Sequence, residues 1–186
     1  MALTLGLSIP HDLTLPQWLS IAKLATGWKF SEIRSLAMRY ITESKAGSYD
    51  YWFATLQFSW NLVEFDDLRE LAIARLSNLI GHWTAVVKIR MGRQYLVRRW
   101  VSEGLLSLVI APGLPSMNDL QSLGADTVLR FIYLRDEVIK NCANCGSKLS
   151  CNGSCRSAYG GGEKRARCDL TTVEKHFNDE LSRLAT

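Results

Sequence analysis

Apolar residues return along this chain every three or four positions, the period of an α-helix rather than of a strand. Trp18, Ile21, Ala22, Ala25 and Trp28 make a first stripe, and Ile33, Leu36, Ala37, Tyr40 and Ile41 a second. The polar stretch "ESKAGS", Glu43 to Ser48, reads as a linker. Trp52, Phe53, Leu56 and Trp60, then Leu68, Leu71, Ala72, Leu76 and Leu79, carry the pattern on. Thr14-Leu15-Pro16-Gln17 has the form of a capping box with proline in the first turn, and Ser31, Asp50 and Asp66 stand where N-caps are wanted.

The pattern also repeats. Moved forward by 35 positions, "FSEIRSLAMRYI" from Phe30 falls on "FDDLRELAIARL" from Phe65. Phe30 then meets Phe65, Arg34 meets Arg69 and Ala37 meets Ala72. That spacing is the length of one helix-turn-helix hairpin, so it predicts two stacked copies of such a unit.

Further along, Thr84 caps a helix through Val86, Ile89 and Met91, and Trp100, Val101, Leu105 and Leu108 stripe the next. The prolines of "APGLPS" break the chain, "SMND" starts a short helix, and Gly124 ends it. Asp126 opens a helix striped by Val128, Leu129, Ile132, Leu134 and Val138. From Asn141 to Arg167 the apolar period disappears into Cys, Gly, Ser and basic residues. Thr171-Thr172-Val173-Glu174 reads as another capping box, ahead of a helix through Phe177 and Leu181. The predicted class is all-α, with about seven to eight helices in stacked hairpins. It divides into a hairpin domain at 1–140, a Cys/Gly-rich loop at 141–170 and a C-terminal helix at 171–186 packing back on the domain.

Composition narrows the classes. The 186 residues suffice for a sizeable core, and an apolar share of 47% is that of an ordinary globular chain. No run reaches the roughly 20 apolar residues of a membrane-spanning helix. The start "MALTLGLSIPHD" has no basic region of the kind that opens a secretory signal, so an intracellular location is expected and the five cysteines are expected as thiols or metal ligands. A net charge of +4 calls for no nucleic acid.

Several runs resemble a known family. "WLSIAKLATGWKFSEIRSLAMRYI" from Trp18 resembles the segment after the BTB/POZ domain in a group of fungal BTB-domain proteins. "KIRMGRQYLVRRWVSEGLLSLV" from Lys88 and "LGADTVLRFIYLRDEV" from Leu123 are similar to later stretches of the same group. The likeness spans Leu15 to Val138, without the BTB fold itself and with the doubled hairpin as an addition. It implies a helical region similar to the BACK region of BTB adaptors, which dock other proteins, including ubiquitin-ligase components.

Two constellations carry chemistry of their own. Cys142-x2-Cys145-x5-Cys151-x3-Cys155 offers four thiolates, enough for a structural Zn2+ that would order a segment poor in apolar residues. The gap between Cys145 and Cys151 is short for two ligand pairs, so reduced cysteines on a loop are the plainer reading. Lys88, Arg90, Arg93, Arg98 and Arg99 form a basic strip with Tyr95 and Trp100 interleaved, a composition that holds nucleic acid. The plainer reading pairs those cations with acids on neighbouring helices. Arg34 and Arg69, at equivalent places in the repeat, are expected to bridge to the adjoining hairpin or its carbonyls.

Catalysis finds no support in spacing. His11, His82 and His176 are scattered, and "YGGGEK" lacks the phosphate-loop pattern. The expected function is therefore a non-enzymatic protein–protein interaction module, with nucleic-acid binding through Lys88–Arg99 as the alternative.

Overall fold

Ser48 shows how local chemistry starts a helix in this chain. Its Oγ accepts a hydrogen bond from Tyr51 N at 3.3 Å, satisfying a first-turn amide that would otherwise lack a partner. Thr84 does the same for Val87 N, and Ser116 for Asp119 N. At Thr14 the side chain of Gln17 folds back, its Oε1 accepting from Thr14 N at 2.8 Å. A computed structural model describes residues 13–43, 47–111, 113–143 and 170–184, and all the regular structure among them is helical.

The helices are α1 (Leu15–Gly27), α2 (Ser31–Glu43), α3 (Tyr49–Ser59), α4 (Asp66–Leu79), α5 (Ala85–Gln94), α6 (Arg98–Ile110), α7 (Met117–Leu123), α8 (Ala125–Ala143), α9 (Leu170–His176) and α10 (Asn178–Leu181). Single 3-10 turns, Val63–Phe65 and Ile80–His82, flank α4. Asp50 and Asp66 do not occupy the cap positions expected of them. Ser48 caps α3, and Asp66 is the first residue of α4. Both aspartates lie in the first turn instead, where a carboxylate meets the positive end of the helix dipole. Thr171 and Thr172 likewise lie inside α9, which begins at Leu170.

The chain forms two compact units, residues 1–81 and 82–186, with a boundary inside the span read from sequence as one hairpin domain. In the first unit α1 pairs with α2 and α3 with α4, and the two hairpins touch through α1 with α3 and α2 with α4. Trp18, Leu19, Ala22, Ala37, Ile41, Phe65 and Leu68 form a core there, with Trp18 stacked on Tyr40 at 4.4 Å.

The 35-residue register holds only in the second helix of each hairpin. Ala37 and Ala72 are both buried, as are Ile41 and Leu76. In the first helices burial matches one residue earlier, since α1 buries Trp18, Ala22 and Ala25 where α3 buries Trp52, Leu56 and Ser59. The 3-10 turn at Val63–Phe65, absent from the α1–α2 connection, takes up the difference.

The second unit is built on α5 and α6, with α7, α8, α9 and α10 packed around them. Two glycines permit the close approach of α5 and α6. A Cβ on Gly104 would stand 2.7 Å from the carbonyl oxygen of Ala85, and one on Gly92 would stand 2.9 Å from Val101 N. Val86, Ile89, Val101, Leu105, Phe131, Leu134, Val173 and Phe177 share the core, which α9 and α10 close.

The α1–α2 and α5–α6 connections use the same turn. Phe30 N donates to Ala25 O at 2.8 Å and Lys29 N to Thr26 O at 3.1 Å, while Val97 N donates to Gly92 O at 2.7 Å and Leu96 N to Arg93 O at 3.4 Å. Both are Schellman motifs, but the left-handed position holds Lys29 (φ 61°) and Leu96 (φ 51°) rather than glycine.

Candidate functional site

The first surface of interest arises from the Schellman turn after α1. Because the turn reverses the chain within three residues, Trp28 and Phe30 are thrown outward together. They lie edge to face at 6.0 Å, and are 65% and 51% exposed. Leu24, one turn back on α1, is 52% exposed. Lys23 and Lys29 are exposed beside them, with Glu32 at the start of α2. Three large apolar side chains are thus exposed within seven residues of the chain, two of them in ring contact.

The second surface is on α8. Of the stripe expected there, Leu134 is buried and Val128 and Val138 pack against the core, whereas Leu129 and Ile132 face outward and the helix buries Thr127 and Phe131 beside Leu134. Leu129, Ile132 and Tyr133 are left exposed at 67%, 47% and 67%. Their spacing puts them on one face, which Asp136 prolongs by a turn. Burial of Thr127 is what turns the helix, and Arg93 makes that burial tolerable. Arg93 Nη2 donates to Thr127 Oγ1 at 2.6 Å, Nη1 to Leu123 O at 2.8 Å, and Nε to Glu180 Oε1 at 2.7 Å. One guanidinium thus ties α5 to the end of α7, the start of α8, and α10.

The basic strip is largely occupied by such work. Lys88 and Arg99 both reach Glu103, at 3.7 and 2.7 Å, and Arg98 lies 3.5 Å from Glu174. Arg90 is exposed. The interleaved aromatics are core: Trp100 is fully buried against Trp83, and Tyr95 is 4% exposed. These residues form no stacking platform for bases.

Arg34 reaches the adjoining hairpin, donating to Glu64 O at 2.7 Å with its guanidinium over the ring of Phe65. Arg69 stays local, pairing with Asp66 at 3.2 Å and lying over Trp60.

The remaining candidates are placed as follows. Cys142 is in the last turn of α8, and Cys145, Cys151 and Cys155 lie outside the described residues. Among the described residues no cluster of three or more His, Cys, Asp or Glu side chains is arranged to hold a metal ion. His176 Nε2 lies 3.4 Å from Glu137, and its ring is 6.3 Å from that of Tyr133. No described helix is long and apolar enough to cross a membrane.

A cleft of about 620 Å3 opens beside Gly124, lined by Arg93, Asp126, Arg130, Asp179, Glu180 and Arg183. Its charges largely satisfy each other. Arg130 bridges Asp126 at 3.0 Å and Asp179 at 2.5 Å, and that hydrogen bond and charge hold the Asp179 carboxyl below the usual carboxylate range. The chain matches no protein-family model, no curated protein and no solved structure.

Proposed function

We propose that the chain is a non-enzymatic protein–protein interaction module of the kind that follows the BTB domain in BTB-type adaptors. The observation that carries this reading is the aromatic tip of Leu24, Trp28 and Phe30, held outward by a hydrogen-bonded turn. Large aromatic side chains fixed before binding lose little freedom when they enter a partner's pocket, which is why a few of them supply most of an interface's energy. The BTB aspect rests on the sequence resemblance over Leu15 to Val138, and ubiquitin-ligase components or BTB proteins are the partners it implies. The ion pairs along Lys88–Arg99 favour a structural role for that strip over a phosphate-binding one.

The test is affinity purification of the tagged chain from native extract, with nuclease treatment, beside a Trp28→Ala/Phe30→Ala double variant. Both side chains are exposed, so the variant keeps its helical circular dichroism. Recovery of BTB or ubiquitin-ligase proteins by the native chain and their loss with the variant is the expected result. Equal recovery by the two chains would remove the tip from the interface.

A further inference from the structure

We infer that α9 and α10 are a ligand held by their own chain in a helix-binding groove of the second unit, where a helix of the same pattern from another chain can replace them. The inference goes beyond the module reading above and uses a surface separate from the aromatic tip.

The segment is built like a recognition peptide. Val173, Phe177, Leu181 and Leu184 are buried, sharing a core with Leu105 of α6 and Phe131 of α8. Their spacing is that of the anchors by which an amphipathic helix enters an apolar groove. The acids of the segment meet cations on the rim of the groove. Glu174 lies 3.5 Å from Arg98, Asp179 2.5 Å from Arg130 and Glu180 2.7 Å from Arg93. Those arginines stand on three different helices, α6, α8 and α5. His176 adds a contact to Glu137 at 3.4 Å. Helices shorter than about 12–15 residues are marginal in water, so the short α9 and α10 take their form from the groove.

Chain continuity contributes little to that grip. His176 meets Glu137 and Asp179 meets Arg130, so the segment runs antiparallel to α8 and brings Leu170 back towards Ala143. Helices placed this way are joined by about 2–8 residues in most bundles. Here the sequence puts 26 residues, 144–169, between them. A tether of that length sets a local concentration for the segment and does not lock it in place. A helix supplied by another chain competes for the groove on those terms, and gains when the resident segment is weakened.

A labelled peptide of residues 170–184 is the probe, read by fluorescence anisotropy against the full chain. The native chain is compared with Glu174→Lys/Asp179→Lys, whose altered side chains are partly exposed, and with Phe177→Ala. Weak uptake by the native chain is expected, and uptake about tenfold tighter by the charge-reversed chain, whose own segment competes less. Phe177→Ala is expected to act in the same direction, whereas a peptide carrying that substitution binds none of the three.

Absence of uptake by every folded chain overturns the inference. So does equal affinity for the native and charge-reversed chains, which would put the peptide elsewhere. Loss of helical circular dichroism in both variants overturns it too, since the segment would then be an indispensable part of the core. Trp28→Ala/Phe30→Ala leaves the groove intact and is expected to take up the peptide as the native chain does, so the module reading stands or falls separately.

Discussion

Gly104 has no side chain because the carbonyl of Ala85 and the side chain of Ile89 stand where one would begin. The nearest neighbour of an added Cβ would be backbone, at 2.7 Å, and backbone moves only if α5 and α6 part. Gly104→Ala is therefore expected to lower stability by about 1–3 kcal/mol, although alanine is the better helix former. Urea denaturation measures it, and a rise in midpoint would show that the helices are not held together here. Nothing in the apolar period flags this glycine, since a missing side chain contributes nothing to a stripe. The same applies to Lys29 and Leu96, whose left-handed backbone is imposed by the turn and not announced by a glycine.

Helices and their boundaries were legible where apolar spacing and cap chemistry agreed, as in α1, α5 and α7. Which face of a helix turns inward was less so. On α8 apolar residues occupy more than one arc, and the expected stripe joined Leu134, which is buried, to Leu129 and Ile132, which are not, and passed over Phe131. The choice is made by Arg93, whose hydrogen bonds let a threonine be buried and so fix the rotation. That clamp was invisible because its partners Leu123, Thr127 and Glu180 are far from Arg93 in sequence. Of the two surfaces described above, the sequence read Trp28 as core, since exposure of a large aromatic cannot be told from burial by spacing.

The joint between α8 and α10 also carries a pH dependence. Asp179 accepts from Arg130 at 2.5 Å, so its folded pKa lies below its unfolded one. The interaction is then fully present above the ordinary aspartate range and is lost as pH falls through the lowered folded value. A carboxyl-carbon NMR titration is expected to place the Asp179 midpoint below about 3.9, and to return it to that value in Arg130→Gln. A midpoint that ignores the substitution would show that the arginine is not its cause.

At the scale of the whole chain the all-α class emerged from the sequence, because nearly every segment has a helical period and none alternates like a strand. The division at Gly81 did not, since no proline- or glycine-rich linker marks it. The first unit does hold two hairpins, but burial in their first helices departs by one residue from the 35-residue spacing expected of a repeat. In the second unit a core among the described residues joins α5, α6, α8 and α9. Phe131, fully buried within it, is expected to cost about 3–5 kcal/mol when changed to alanine. Hydrogen exchange is the suitable measurement, with amides of α5, α6 and α8 losing protection together. Loss confined to α8 would mean that the core is not one cooperative body.

Tryptophans fluoresce according to their surroundings, and in this chain the surroundings differ sharply. Trp18, Trp52 and Trp100 are shut away at 6%, 2% and 0% exposure, whereas Trp28 stands 65% in water at the tip. An aqueous quencher therefore reaches Trp28 well ahead of those three, and anything settling on the turn shields it. On the proposed reading Trp28 would therefore report a partner's arrival by its own emission, with no label added.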